Sequence, residues 1–216
     1  DVLEAAGVNL DLTADQVAHC VNKIGVGFLF APKYHGAMKH AIGPRKEMGV
    51  RTLFNLLGPL SNPAGAPNQL IGVFSKDWVE LLAQVLNKLG SEHVLIVNAE
   101  DGLDEISIAS STTVAELKNG ITTCYSITPE EFGMPRSDLS ALAVDSVETS
   151  LAVLKSVLDG KAGPARDIVV LNAGAAIYAA NLTESLQSGI DKAEQVIHDG
   201  SAKAKLDALI TLSHKI

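Results

Sequence analysis

Aromatic side chains are scarce. Phe, Trp and Tyr make up 4% of the 216 residues, so a core must be built from Leu, Val, Ile and Ala. Cysteine is nearly absent. Cys20 and Cys124 are far apart with no metal-like spacing, which excludes a disulfide scaffold. Both are expected to be buried thiols in a reducing compartment, the cytoplasm. No apolar run is long enough to span a membrane, and the opening stretch DVLEAAGVNLDL has no basic n-region or signal core. Basic residues are in the minority: 17 Lys plus Arg stand against 25 Asp plus Glu, for a net charge of -8. Nucleic-acid binding calls for a broad basic face, so neither nucleic acid nor membrane is an expected partner. CxxC pairs, a Walker phosphate loop, a Ser-His-Asp order, internal repeats and low-complexity stretches are all missing.

What is present fits an α/β enzyme: 47% hydrophobic residues with 18 glycines. Residues 1–6 read as a helix end stopped by Gly7. Thr13 and Gln16 form a capping box, and Val17, Cys20, Val21 and Ile24 share one face of the helix it starts, which ends at Gly25 or Gly27. Residues 28–31 are a short apolar run closed by Pro32 and read as a buried strand. Residues 34–42 and 51–57 have helical spacing, and 58–63 (GPLSNP) reads as loop. Next comes strand 69–74, then a helix over 76–89 with Trp78, Leu81, Leu82, Val85, Leu86 and Leu89 inward, then strand 93–97. This is a βαβ unit with parallel strands. Asn119-Gly120 between two alternating runs marks a hairpin. Thr128-Pro129-Glu130-Glu131 starts another helix. Helices follow over 146–158, 165–180, from Thr183 (or Ser185) to 198, and from Ser201. The small-residue run Asn172–Ala176 places its helix close against the sheet or another helix.

Ligands of open α/β sheets bind beyond the carboxyl ends of the strands, and two segments there carry reactive residue types. The first is a basic island on an acidic chain: Lys33, His35, Lys39, His40, Arg45, Lys46 and Arg51 against the single acid Glu47. It suits an anionic small molecule or, read plainly, a solvated helix face. Arg45 and Arg51 can each grip a carboxylate or be surface charges. His35 can be a base, a ligand hydrogen-bonder or a structural histidine. Gly58-Pro59 can back a flat ligand or form a plain turn. The second segment is the loop NAEDGLDEIS, with Asp101, Asp104 and Glu105. Adjacent carboxylates at 104 and 105 suit Mg²⁺, which takes one or two of them and completes its shell with water and phosphate oxygens. The alternative is a polar turn cornered at Asp101-Gly102. Together the two segments point to a pair of substrates, one diphosphate-like and one anionic.

These blocks are recognisable. FLFAPKYHGAMKHAIGPRKEMGVRTLFNLLGPLSNPA, then QLIGVFSKDWVELLAQVL, NAEDGLDEIS, ITPEEFG and NAGAAIYAA, resemble the anthranilate phosphoribosyltransferase family over nearly the whole chain. The resemblance implies transfer of the 5-phosphoribosyl group from phosphoribosyl pyrophosphate to the amine of anthranilate, in tryptophan biosynthesis. It implies Mg²⁺, a homodimer, and a small helical domain beside a larger α/β domain. The α/β domain is of the nucleoside phosphorylase/phosphoribosyltransferase type, with a largely parallel central sheet and one antiparallel hairpin. By the same resemblance Arg45 holds the anthranilate carboxylate, and His35 lines the anthranilate path beside Ala31 and Pro32. Gly58 and Pro59 pack on the aromatic ring, and Asp104 and Glu105 bind Mg²⁺ with the diphosphate. No acid–base residue is assigned.

The chain departs from the family pattern in places. Gly36 replaces the proline of the common HPAMK form, and AIGPR precedes Arg45 where APVR is usual. Both loosen the backbone near Arg45. The family's GTGGD loop, its KHGNR-type block and most of its helical domain have no counterpart here. The chain is therefore expected to be the C-terminal portion: one catalytic α/β domain over 1–216, with residues 1–24 as a helical lead-in. By itself it is expected to be inactive or nearly so. Rival readings are a pyrimidine nucleoside phosphorylase-like enzyme of the same fold and a non-catalytic relative that binds nucleic acid.

Overall fold

The computed structural model describes residues 1–34, 58 and 60–216. A pair of parallel strands lies at its centre. β1 (Asn68–Gly72) and β2 (His93–Ala99) lie side by side, joined by the crossover helix α4 (Asp77–Lys88). The βαβ unit read from the spacing is therefore present. β3 (Thr112–Lys118) and β4 (Ile121–Ile127) follow as a hairpin. Asn119 and Gly120 have φ of 53° and 77°, the pair of positive values that a type I′ turn requires. The sheet runs in the order β1-β2-β3-β4. It is mixed rather than largely parallel among the described residues: β1-β2 is parallel, whereas β2-β3 and β3-β4 are antiparallel. The hairpin supplies half of the strands, and a two-residue turn can only join antiparallel neighbours.

β2 is buried along its whole length, as a strand covered on both faces must be. Its side chains alternate. Leu95 and Val97 enter a core shared with Ile106, Val114, Val170, Leu171 and Ile190. Val94 and Ile96 enter a second core with Ile71, Val79, Leu82, Ala83 and Leu86. The second core is closed by α4. The first is closed by α5 (Val147–Leu158), α6 (Pro164–Ala179) and α7 (Leu186–His198). Each such buried aliphatic side chain contributes about 1.5–3 kcal/mol. Gly174 of α6 and Gly189 of α7 are where these two helices meet. A Cβ on Gly189 would stand 2.3 Å from the Gly174 carbonyl oxygen, and one on Gly174 would stand 2.6 Å from the Ile190 Cα. The small-residue run is thus a helix–helix contact. A third cluster joins Val8, Leu12, Val17 and Cys20 to Leu209. It ties α1 (Val2–Ala5) and α2 (Ala14–Ile24) to the last helix, α8 (Ser201–Ser213).

Caps set the helix ends as the sequence predicts. Thr13 and Gln16 form the capping box of α2, and Gly25 ends it in the left-handed conformation. Ser185, not Thr183, caps α7, because its side chain accepts from the Ser188 N–H. Thr128 caps a 3₁₀ turn over Pro129–Phe132.

Several expectations are corrected. Residues 28–31 form no strand; Ala31–Tyr34 is a short helix, α3, and Phe28 and Phe30 are partly exposed with rings 6.5 Å apart. A four-residue apolar run carries no usable period, and Pro32 suits the first turn of a helix. α4 presents Val79, Leu82, Ala83 and Leu86 to the core and leaves Leu81, Val85 and Leu89 exposed. Its near-continuous apolar sequence offers two stripes, and the sheet selects one. Val21 is likewise exposed. Gly58 and Leu60 are helical rather than loop, with the Ser61 N–H donating to the Gly58 carbonyl at 3.2 Å. Cys20 is buried, but Cys124 is exposed because β4 is an outer strand, largely uncovered on its faces. The helices expected over 34–42 and 51–57 lie outside the described residues, apart from Tyr34.

Candidate functional site

Residues 100–111 connect β2 to β3 and fold back over the carboxyl end of β1. The loop's own polar groups shape it. Asp101 is the organiser: its carboxylate accepts from Ser107 Oγ at 2.5 Å, Ser110 Oγ at 2.9 Å and the Leu103 N–H at 3.0 Å. Partial burial pushes this carboxyl up, but those hydrogen bonds outweigh it and hold Asp101 below the ordinary carboxylate range. Gly102, at φ 91°, makes the corner. Ser107 Oγ in turn accepts from the Ala109 N–H, and the Thr112 hydroxyl accepts from the Ser107 N–H. The Asp101-Gly102 corner is therefore real, and it leaves Asp104 and Glu105 out of the network.

Gly72 seats this loop on the sheet. A Cβ at Gly72 would lie 1.5 Å from the Asp104 carbonyl oxygen, so only glycine allows the loop to lie directly on the end of β1. Alongside, Asn98 Nδ2 donates to the Val73 carbonyl at 2.8 Å, which extends the ladder past the end of β1. On the helix side, Asn172 of α6 holds the Ile106 backbone: Oδ1 accepts from its N–H and Nδ2 donates to its carbonyl, both at 2.9 Å. Gly72 and Asn172 carry no signal of this in the sequence. Asn172 is 66 residues from its partner, and a strand-end glycine looks like any other.

Asp104 and Glu105 are exposed and adjacent, and among the described residues neither carboxylate has a hydrogen-bond or ion-pair partner. Partial burial and the Asp104 charge push the Glu105 carboxyl above its ordinary range. The two carboxylates line a cavity of about 480 Å³ with Leu70, Gly72, Val97 and Asn172. Glu105 also borders a larger apolar cavity of about 650 Å³ formed by Leu103, Leu139, Leu142, Val153 and Val157. Among the described residues, no Lys, Arg or His lines the smaller cavity. An anion there would meet two negative charges and would need a cation between. A hard dication fits this donor set: two oxygen-bearing groups, mutual repulsion to relieve, and room for water and phosphate oxygens. Groups of three or more potential metal-ligating side chains are not found among the described residues.

The other candidate residues are dispersed or undescribed. Ala31 and Pro32 are exposed on α3, next to Tyr34, whose hydroxyl donates to the Leu12 carbonyl at 3.3 Å. Lys33 forms an ion pair with Asp11, so one member of the basic island is a surface charge. Among the described residues, nothing lies within 4 Å of where a Cβ on Gly58 would stand. Neither cavity bordered by Glu105 includes Ala31, Pro32 or Gly58. His35, Lys39, His40, Arg45, Lys46, Arg51 and Pro59 lie outside the described residues.

The family profile described as "Glycosyl transferase family, a/b domain" matches residues 1–203. The anthranilate phosphoribosyltransferase of Methylococcus capsulatus is 67% identical over 215 residues, covering 100% of this chain and 63% of that protein. That of Thioalkalivibrio sulfidiphilus is 62% identical over 213 residues, covering 99% and 63%. Among solved structures, the anthranilate phosphoribosyltransferase of Thermus thermophilus superposes with a TM-score of 0.91 at 41% identity, covering 99% of this chain and 63% of that one. The Saccharomyces cerevisiae enzyme in complex with PRPP and Mg gives 0.90 at 28% identity, covering 100% and 62%. The chain thus spans 63% of the length of these two curated relatives.

Proposed function

The chain belongs to the glycosyl transferase family, matching its a/b domain, and on that premise we propose that it serves anthranilate phosphoribosyl transfer. In this reaction the amine nitrogen of anthranilate bonds to C1 of phosphoribosyl pyrophosphate. The C1–oxygen bond breaks, pyrophosphate leaves, and the amine sheds a proton. The observation that carries the reading is the Asp104–Glu105 pair: two mutually repelling carboxylates at the carboxyl edge of the sheet, without partners among the described residues. Asp104 and Glu105 would hold Mg²⁺, which would offset the charge that builds on the departing diphosphate. Gly72 and Asp101 fix the loop that carries them. Arg45 grips the anthranilate carboxylate, His35, Ala31 and Pro32 line its path, and Gly58 and Pro59 back its ring. Positioning provides much of the remaining acceleration, because a desolvated, aligned aniline-type amine is a serviceable nucleophile without a strong base.

The same proposal takes residues 1–216 as one catalytic domain with a helical lead-in over 1–24. It places the whole protein in the cytoplasm as a homodimer, with small-molecule substrates and neither a nucleic-acid nor a membrane partner. The net charge of -8 supports the exclusion of nucleic acid. Of the described helices, none is long and apolar enough to cross a membrane.

The test follows anthranilate fluorescence. It uses the 216-residue chain alone and the same chain joined behind the preceding segment of the Methylococcus capsulatus relative. Loss of signal in the joined chain that needs both phosphoribosyl pyrophosphate and Mg²⁺, and that slows at least about a hundredfold in Arg45→Ala, is the expected result. A flat trace from folded joined protein, with phosphorolysis of thymidine instead, would replace the reading with a nucleoside phosphorylase.

A further inference from the structure

We infer that Asn172 is a positioning residue for the divalent cation: it holds the main chain beside Glu105 so that the two carboxylates stay close enough to share one ion. This inference rests on the reading of Asp104 and Glu105 as the cation ligands. Asn172 stands in the interior of α6, where Ala would favour the helix more. Its amide forms a two-point clamp on Ile106, taking the N–H and giving to the carbonyl, each at 2.9 Å. Its second Nδ2 hydrogen goes to the Ile168 carbonyl at 2.9 Å, one turn back. Both amide hydrogens are therefore used. A flipped amide would set its NH₂ against the Ile106 N–H and its oxygen against two carbonyls, so the orientation is determined.

The clamped N–H belongs to the peptide that joins Glu105 to Ile106. Holding it fixes the backbone from which the Glu105 side chain springs. On the other side, the Asp104 carbonyl rests against Gly72, where no Cβ fits. The pair is thus gripped between β1 and α6, and Asn172 lines the same cavity of about 480 Å³ as both carboxylates. Like charges on neighbouring residues push a free loop apart. The clamp opposes the spreading and holds the geometry that a shared cation needs before the cation arrives.

Mn²⁺ is the probe, with the loss of its free-ion paramagnetic resonance signal reporting uptake by the 216-residue chain. Thermal melting is recorded beside it. Asn172→Leu keeps the number and branching of the side-chain heavy atoms and removes all three hydrogen bonds. It is expected to weaken Mn²⁺ binding at least about tenfold, and Asn172→Ser substitutes for it should the Leu variant not fold. Val170→Ala, a core truncation on the same helix, is expected to lower the melting temperature and leave Mn²⁺ binding unmoved. An Asn172 variant that melts lower yet binds Mn²⁺ like the parent overturns the positioning role alone. Absence of uptake by the parent, or uptake unchanged in Asp104→Asn, overturns the cation reading and this inference together.

Discussion

Carboxylates at the two ends of the sheet have opposite fates. Near the start of β2, Glu116 is saturated. Its Oε1 lies 3.1 Å from His93 Nε2 and accepts from the Tyr178 hydroxyl at 2.7 Å, and its Oε2 accepts from the Tyr125 hydroxyl at 2.9 Å. His93, fully buried, places Nδ1 2.7 Å from Asn181 Oδ1 and meets the Tyr178 ring edge-on. Lys118 donates to the Tyr178 hydroxyl and sits over its ring. Burial, then the Glu116 hydrogen bond and charge, push the Tyr178 hydroxyl up to about 12. Beyond the other end of β2, Asp104 and Glu105 have no such partners among the described residues. A closed network holds a fold together, whereas an open one leaves bonding capacity for something that binds.

The comparison can be broken at its closed end first. Glu116→Ala leaves two tyrosine hydroxyls without their acceptor and His93 Nε2 without its partner. The expected loss is about 3 kcal/mol in urea unfolding, with Mn²⁺ affinity unchanged. If stability barely moved, the saturated end would not be the structural one. Gly72→Ala tests the open end's footing. Its Cβ cannot coexist with the Asp104 carbonyl at 1.5 Å, so the loop must lift. We expect a loss of about 2 kcal/mol together with Mn²⁺ binding, which separates it from the Glu116 variant.

The smallest effect has the opposite sign. Asp104→Asn removes a repulsion, so stability at pH 7 should rise by roughly 0.5 kcal/mol while cation binding falls. pH sharpens this. Glu105 titrates higher in the folded state, so its stabilising contribution is full below the unfolded-state pKa and is lost as pH rises through the folded value. Asp101 titrates lower, so its contribution is present above the unfolded-state pKa and is lost as pH falls through the folded value. Asp104→Asn should flatten the first dependence and spare the second, and Mg²⁺ should offset the first in the parent. Denaturant midpoints measured across the acidic range report both.

Local chemistry was the legible part of this chain. The hairpin could be read because Asn119-Gly120 accepts two positive φ values, and α2 could be read because Thr13 and Gln16 cap it. The acidic pair was visible as two neighbouring residues after a buried strand. What could not be read depends on distant partners. The buried stripe of α4 is chosen by the sheet beneath it, and no strand among the described residues pairs with 28–31, which their composition could not disclose. The supports of the acidic pair, Gly72 and Asn172, each meet the loop across tens of residues of chain.

The contact of Gly174 with Gly189 has a consequence at the other side of α6. Two residues before Gly174 on the same helix stands Asn172, the hand that holds the acidic loop. With no Cβ on either glycine, the α7 backbone sits in a notch that fits at a single position along α6. A one-residue slide would drive side chains into main chain. The notch thus acts as a datum, a fixed reference for the height at which Asn172 meets Ile106. The placement of that clamp traces back to two residues that have no side chains at all.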